Sequence, residues 1–558
     1  MDRRTFLISM NGISPETGEA QYAEASSKAG DVGRYSRNRE KITSTLSPWI
    51  PSALHPWDVA SISHLYRRAG FGTNIWEVKA AKSKLPSQVI DSLLDDALLA
   101  GNKLPPDPTY ADQWLQIPPY VYTDFKKRMD DYNHATMKIR SRWTVVMSEP
   151  EVMLREKMAL FWMNHFVIES KKVRYPQPTY KYLQYMRQNA WGNFKQMVKD
   201  VTISPAMLFY LDGILNVGTS PNENYARELQ ELFTMGVLDH HGNPNYSQLD
   251  VEAIAHSLTG WTIDLGAPPP DVIPAAYVSN MHDSAQQKIY DGVARVYNLA
   301  ASNVSMDKDV IDHIFEQRAD QISWFICTKL YQLFVYHEIT TDAQKAIVDE
   351  LATTFKQNWN IKEVLSLLLK SEHFFDSGNI GVGIKSQFEY MIGICRTFKI
   401  PLDELSAGSL YYYGAECSQI LLDPPNVKGW PGYHNWISAT SLPYRNDLIA
   451  TQLLIGQHMP ALGMDGYGNA NTTIDLWDYM VTSWGKQFAS YAGTFDDLLG
   501  EMISYLCAQP PSLKAVAYVK SKFTPNFYEW PSLSDADKIA GLRLMAKEIM
   551  LLADYQLN

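Results

Sequence analysis

The chain is poor in the features that announce familiar enzymes. It has no Gly-x-Ser-x-Gly elbow, no His-Glu-x-x-His pair and no Walker-type phosphate loop, so serine-hydrolase, zincin and P-loop chemistry lack their signatures. His337-Glu338 lacks the second histidine. Gly381-Val-Gly383 lacks the third glycine and the preceding strand of a dinucleotide fold. Only four cysteines occur in 558 residues, Cys327, Cys395, Cys417 and Cys507. They are far apart and without Cys-x-x-Cys spacing, which argues against a zinc ribbon or dithiol redox site and demands no disulfide. There is no apolar run of about 18 residues, so no spanning helix is expected. Basic charge is scarce too. A net charge of −11, with no Lys/Arg run interleaved with aromatics, argues against nucleic acid as a partner. No long Gly/Ser/Pro-rich linker and no repeat of fixed period divides the chain, which disfavours a solenoid and favours one large body.

What remains is the composition of a large soluble globular protein, 46% hydrophobic and 20% charged. Aromatic residues make up 12%, many in helical patterns such as Leu160-Phe-Trp-Met-Asn-His-Phe166. Most of these read as core, with a minority able to line a groove. Apolar periodicity predicts helices over 57–68, 85–99, 154–168, 180–201, 221–235, 247–259, 306–319, 321–336, 342–356, 361–370 and 384–399. Further helices are expected over 443–456, 474–486, 496–506, 511–522 and 533–553. Residues 208–215 read as a connection, 265–304 as a long ordered loop, and 407–440 as a Pro/Gly/Trp-rich loop segment. The expected class is therefore all-α, a large multi-helix globular body with long ordered loops and little or no sheet. Three regions follow: a polar tail over 1–50, a main helical domain over 51–450, and a C-terminal helical segment over 451–558 packed on it. Met1-Asp-Arg-Arg-Thr-Phe-Leu7 is similar to a twin-arginine export box, with Arg3 and Arg4 as the receptor-read pair. The apolar stretch that should follow is replaced by Ser-Pro-Glu-Thr-Gly-Glu, so the signal is degenerate.

One segment concentrates ionisable residues beside an apolar stripe, Ser220 to Gly236. Tyr225, Leu229, Leu232 and Phe233 share one side of a helix. Asn224, Arg227, Glu228 and Glu231 share another. Ser220 as N-cap, Pro221 at the first helical position and Glu223 as the third member of a capping box predict the start, and Gly236 the end. Glu223–Arg227 and Arg227–Glu231 are spaced as i,i+4 ion pairs. A second capping box, Ser247-x-x-Asp250, opens the helix that ends at Gly260.

The order and wording of the motifs resemble a bacterial family, domain-of-unknown-function family 1800 (DUF1800), over about residues 60–450. They are His64-Leu-Tyr-Arg-Arg-Ala-Gly-Phe-Gly72, Arg155-Glu-Lys-Met-Ala-Leu-Phe-Trp-Met-Asn-His-Phe166, Asn222-Glu-Asn-Tyr-Ala-Arg-Glu-Leu-Gln-Glu-Leu-Phe233, Leu258-Thr-Gly-Trp261 and Pro424-Pro-Asn-Val-Lys-Gly-Trp-Pro-Gly432. The resemblance implies a helical, exported protein, periplasmic or beyond, working with a protein partner from uncharacterised family 1501. It carries no assigned activity. Without the apolar part of the signal, a cytoplasmic location stands as the alternative, and the oligomeric state is open. Two departures are visible: Met163 stands where a first histidine is often seen, and His282-Asp-Ser-Ala-Gln-Gln-Lys288 is a loosened His-Asp-x-Gly-x-Lys.

Candidate chemistry follows from spacing. His165 with Glu169, and Glu252 with His256, are four apart as metal ligands on one helix face would be. With Asp250, His282 and Asp283 they could supply an oxygen- and nitrogen-rich site for a divalent metal ion. The bland reading makes His165 a hydrogen-bonded core residue and Asp250 a capping carboxylate. Glu228 and Glu231 are candidate acid/base groups, Arg227 and Arg67 candidate anion clamps, and Lys428 sits in a loop that could reach a pocket. Two functions fit these residues. One is an enzyme with a polar Glu/Asp/His/Arg cleft, performing metal-dependent hydrolysis or oxidation of an extracytoplasmic substrate. The other is a binding or assembly protein in which the same groups form a packing network.

Overall fold

Asp58 starts the first helix, Val59–Ala69, by accepting from the Ala60 and Ser61 N–H groups while the Ser61 hydroxyl side is bonded back to the Asp58 backbone. The same reciprocal cap opens Gln248–Ser257 through Ser247 and Asp250, Asp342–Phe355 through Thr341 and Gln344, and Gln387–Phe398 through Ser386 and Glu389. The computed structural model describes residues 42–72, 74–101, 124–268, 272–299, 307–400, 402, 404–449 and 480–558. It is mainly α-helical. The Arg3-Arg4 box and most of the polar tail lie outside the described residues, as do parts of the helices expected at 443–456 and 474–486.

Among the described residues the strands are short and lie between Gly260 and Val310. Trp261–Ile263 pairs antiparallel with Ala275–Tyr277, Gln287–Lys288 antiparallel with Ala294–Arg295, and Tyr297–Asn298 parallel with Lys308–Asp309. Much of the expected long loop is thus pinned by two- and three-residue ladders.

The helix Met153–His165 runs through the core and is buried almost all round, with Met158, Ala159 and Trp162 fully covered. Its charged residues are neutralised inside. The fully buried Glu156 carboxylate accepts from Trp143 Nε1 (2.9 Å), Arg155 Nε (2.7 Å) and Arg187 Nε (2.8 Å). Buried charge is tolerated only when paired and hydrogen-bonded in this way.

The two longest helices to escape the periodicity pack on each other: Phe125–Met147 and Glu404–Glu416. The first is charged at its start, so its apolar stripe is diluted. Its buried Arg140 is paired with Asp423 and donates to the Leu421 carbonyl (2.8 Å). The second carries Gly408 and Gly414. A Cβ at Gly414 would stand 2.8 Å from the Phe388 ring of Gln387–Phe398, so glycine there lets that third helix approach.

The C-terminal helices Phe495–Leu506, Leu513–Lys520 and Asp535–Met550 return to the main body. Phe495–Leu506 packs against Val59–Ala69, and the end of the chain bridges Ile384 through Leu557. All four cysteines are free and buried, and burial pushes their thiols up, to about 12 for Cys395 and Cys507, so they are inert. Among the described residues no helix is long and apolar enough to cross a membrane.

Candidate functional site

A cavity of about 340 Å³ opens where four helices and the loop from Lys428 to Trp436 meet. Lys157, Phe161, Asn164 and His165 recur at helical spacing on Met153–His165 and present one face to it. Lys329, Gln332 and Leu333 do the same from Ala319–Phe334. Glu389 reaches it from the first turn of Gln387–Phe398, and the loop from Lys428 to Trp436 closes the remaining side. That loop is held by one amide. Asn164 Oδ1 accepts the Trp430 N–H (2.7 Å) while Asn164 Nδ2 donates to the Trp430 carbonyl (3.3 Å). Gly429 makes the close approach feasible: its φ is +79°, and a Cβ there would lie 2.6 Å from the Asn164 carbonyl oxygen. The Trp-Met-Asn-His and Lys-Gly-Trp-Pro motifs are therefore two halves of one wall.

The wall carries more positive than negative charge. Arg68 is buried and donates to the last carbonyls of Ala319–Phe334, those of Leu333 (2.7 Å) and Phe334 (2.8 Å), where the helix dipole favours a cation. Lys157 is buried and ion-paired with Glu389. Burial pushes the Glu389 carboxyl up, but the Lys157 ammonium and the Ser386 N–H outweigh it and hold the group below its usual value. Lys329 is half-buried beside the Phe325 ring (4.8 Å), and desolvation brings its pKa down to about 8. Lys428 stands at the mouth, 3.7 Å from Glu231. Arg68, Lys157, Lys329 and Lys428 thus face a single lining carboxylate, Glu389.

His165 also lines this space. Its Nε2 donates to the Phe233 carbonyl (2.9 Å), which leaves Nδ1 with a lone pair and no protein partner. Burial, and then the Lys329 charge, push its pKa well below 6.5, so the ring is neutral.

The Phe233 carbonyl is free to accept because it lies in the last turn of the Ser220–Gly236 segment, which departs from its expected form. The helix begins at Asn224 and not at Pro221. The Ser220–Glu223 capping box is not formed: Asn222 Oδ1 accepts the Asn224 N–H (2.9 Å), and Asn216 Oδ1 in turn accepts the Asn222 N–H (2.8 Å). From Leu229 to Thr234 the helix widens into a π turn, with the Met235 N–H on the Gln230 carbonyl (3.1 Å). The wider turn shifts the later side chains around the axis. Arg227 pairs with Glu223 (2.8 Å) and bonds Gln248 (2.9 Å), while Glu231 turns to Lys428, so the Arg227–Glu231 pair is not made. Glu228 is half-buried, and desolvation followed by the Glu231 charge raises its carboxyl. Glu169 and Glu228 both act on the Tyr210 phenol. A π turn inside a motif is a frequent mark of a functional site.

The other expected residues lie elsewhere. Arg67 is buried and donates to the Tyr505 carbonyl, not to Glu228 or Glu231. Glu169 does not share a helix with His165, because that helix ends at His165. Asp250 forms the cap, and its second oxygen accepts the Tyr290 N–H (2.8 Å). His282 and Asp283 join His256 and Thr259: the Asp283 carboxylate bonds His256 Nδ1 (2.5 Å), and the Asp283 N–H donates to Thr259 Oγ1 (2.8 Å). Gly218 and Gly260 leave room for this clasp, since a Cβ on either would meet the 282–283 segment at 3.0–3.1 Å. The expected metal donors are therefore distributed over several places, and among the described residues no three His, Cys, Asp or Glu side chains form a group able to hold a metal ion.

Lys157, Lys329, Glu389 and Asn164 were not singled out from sequence. Lys157 and Asn164 were within reach, inside a motif already in view. Lys329 and Glu389 carry no local signal, since their environment is built by residues distant in sequence. No curated protein and no solved structure matches the chain. The model of one family does, described as "Protein of unknown function (DUF1800)", over residues 64–556. The match takes in the cavity and the returning C-terminal helices, and the chain belongs to the DUF1800 family.

Proposed function

We propose that the 340 Å³ cavity binds a small anionic molecule and that the protein is an enzyme acting on it by proton transfer. The observation that carries this reading is the charge imbalance of the wall, where the desolvated Arg68, Lys157 and Lys329 share one acidic side chain, Glu389, while the exposed Lys428 stands beside Glu231. A buried excess of positive charge is costly until an anion compensates it. The volume suits a ligand of metabolite size. Phe161, Tyr433 and Trp436 add aromatic faces for its uncharged part. Within the cavity Lys329 is the cationic group able to release a proton near neutral pH, and the neutral His165 offers a lone pair beside it. Glu228 and Glu231 enter through Lys428, which they orient from outside.

Calorimetric titration of the full chain with inorganic phosphate, sulfate, glucuronate and neutral glucose tests the reading. The anions are expected to bind and glucose not. Lys329→Met, which keeps the aliphatic stem, is expected to weaken anion binding about tenfold, the worth of one charge-assisted hydrogen bond. Equal binding of glucose and glucuronate, or anion affinity unchanged in Lys329→Met, would exclude it. The alternative, a non-catalytic assembly protein with a family 1501 partner, draws on the exposed Leu238 and Leu249 flanking the motif helix exit. Stable co-purification of such a partner, with no anion binding, would favour it.

A further inference from the structure

A second, much smaller cavity lies behind the first helix, at the junction with the returning C-terminal segment. It measures about 20 Å³ and is lined by Arg67, Lys385, Tyr505 and Tyr555, with the backbones of Gly72 and Gly393 close by. Arg67, Lys385 and Tyr505 are all more than nine-tenths buried. No carboxylate lines this space. Arg67 donates to the Tyr505 carbonyl, and Lys385 Nζ donates to the Tyr555 carbonyl (2.5 Å) above the Tyr555 ring (3.7 Å). Carbonyls and a ring face soften two cationic charges without neutralising them. The Tyr505 hydroxyl, also buried here, has no protein hydrogen-bond partner.

We propose that Arg67, Lys385 and the Tyr505 hydroxyl together hold one monatomic anion, chloride, as a structural ion between the first helix and the C-terminal segment. The cavity size selects the species. A water needs about 10–15 Å³ of such space, so one halide fits and a phosphate or sulfate does not. The acids nearby do not do the job. Burial raises the Tyr505 and Tyr555 phenols and the Cys507 thiol, so all three stay protonated and neutral at pH 7. Arg445, the other charged neighbour of Lys385, adds a further positive charge. Glu389, the carboxylate acting on Lys385, is already engaged by Lys157, Asn558 and the Ser386 N–H, and Glu77, which acts on the Tyr505 phenol, is paired with Arg396 (2.7 Å). Burial and Arg67 also favour release of the Lys385 proton, which would relieve one charge. That route leaves the arginine charged, because a guanidinium keeps its proton. A halide, by contrast, accepts from all three groups at once and compensates the guanidinium.

The site is separate from the larger cavity, and it stands whether or not that cavity binds an anion. The test uses the full chain purified in potassium gluconate and melted in gluconate, chloride or bromide at matched ionic strength. Tm is expected to rise with the logarithm of chloride or bromide concentration and to be insensitive to gluconate, as for a ligand that binds only the folded state. Tyr505→Phe keeps the ring and removes only the hydroxyl, and it is expected to weaken the halide response about tenfold. Lys385→Met is expected to lose the response while melting higher than the wild type in gluconate. Bromide-soaked crystals are expected to show an anomalous peak within hydrogen-bond distance of Arg67, Lys385 and Tyr505. A wild-type Tm that is the same in chloride and gluconate, with water and no anomalous signal at this position, would overturn the assignment. So would a halide response that Tyr505→Phe retains in full.

Discussion

Replacing Glu389 by glutamine keeps the shape of the side chain and removes the one negative charge on the cavity wall. The carboxylate accepts from the Lys157 ammonium, the Asn558 amide (3.2 Å) and the Ser386 N–H (2.5 Å), and it acts on the charge of Arg68. Lys157 is 3% exposed, so its charge would be left uncompensated. Breaking a buried pair on one side costs about 3–5 kcal/mol, and the open cavity, which lets water approach, places Glu389→Gln near the lower figure. At roughly 1 °C per kcal/mol for a body of this length, the melting temperature falls by roughly 3 °C. Calorimetry with and without inorganic phosphate makes the test specific to the site. The variant has one more uncompensated positive charge, so phosphate is expected to raise its Tm more than that of the wild type. The acid side supplies a second check. The folded carboxyl lies below its unfolded value, so its contribution is present above the unfolded pKa and is lost as pH falls through the folded one. Wild type and variant should therefore begin to converge in stability as pH falls below the unfolded carboxyl value of roughly 4.3, and meet only below the folded one. A drop of less than about 1 kcal/mol, within what an ordinary exposed pair gives, would refute the reasoning. A phosphate rescue no larger than in the wild type would do the same.

Anion affinity is expected to fall as pH rises through about 8, because Lys329 loses its charge there; Lys329→Arg should move that loss out of the accessible range, which a calorimetric pH series would reveal. Gly429→Ala places a Cβ against Asn164 at a positive φ and should cost on the order of 1–3 kcal/mol while detaching the Trp430 loop, seen as altered tryptophan fluorescence. His165→Phe preserves the aromatic packing but strands the Phe233 carbonyl, and denaturant titration should show a loss of about 1–3 kcal/mol.

Much of the helical order was legible because apolar spacing and caps are local. Ser247 with Asp250 acts as read, and the stripe of Tyr225, Leu229 and Phe233 is buried. The failures share a physical cause, which is that tertiary contact overrode local preference. Phe125–Met147 and Glu404–Glu416 are helices because each covers the other. The motif helix starts late because Asn216, eight residues upstream of Asn224, holds the Asn222 N–H and Asn222 in turn caps Asn224, and its π turn has no period to detect. For the site, Lys428 and His165 do line the cavity as candidate residues, whereas Arg67 faces away from it and Lys329 and Glu389 acquire their character only from burial. The His282–Asp283 motif, read as a ligand pair, is a loop clasp whose meaning depends on Thr259 and His256 across the turn.

The account rests on the larger cavity as an anion site, and tungstate, a heavy analogue of phosphate, tests it most directly. Crystals of the full chain soaked in tungstate should show an anomalous peak inside the 340 Å³ cavity, within hydrogen-bond distance of Lys329 and at least one of Arg68, Lys157 or Lys428. Tungstate ordered elsewhere on the surface, with the cavity filled by water alone, would contradict it.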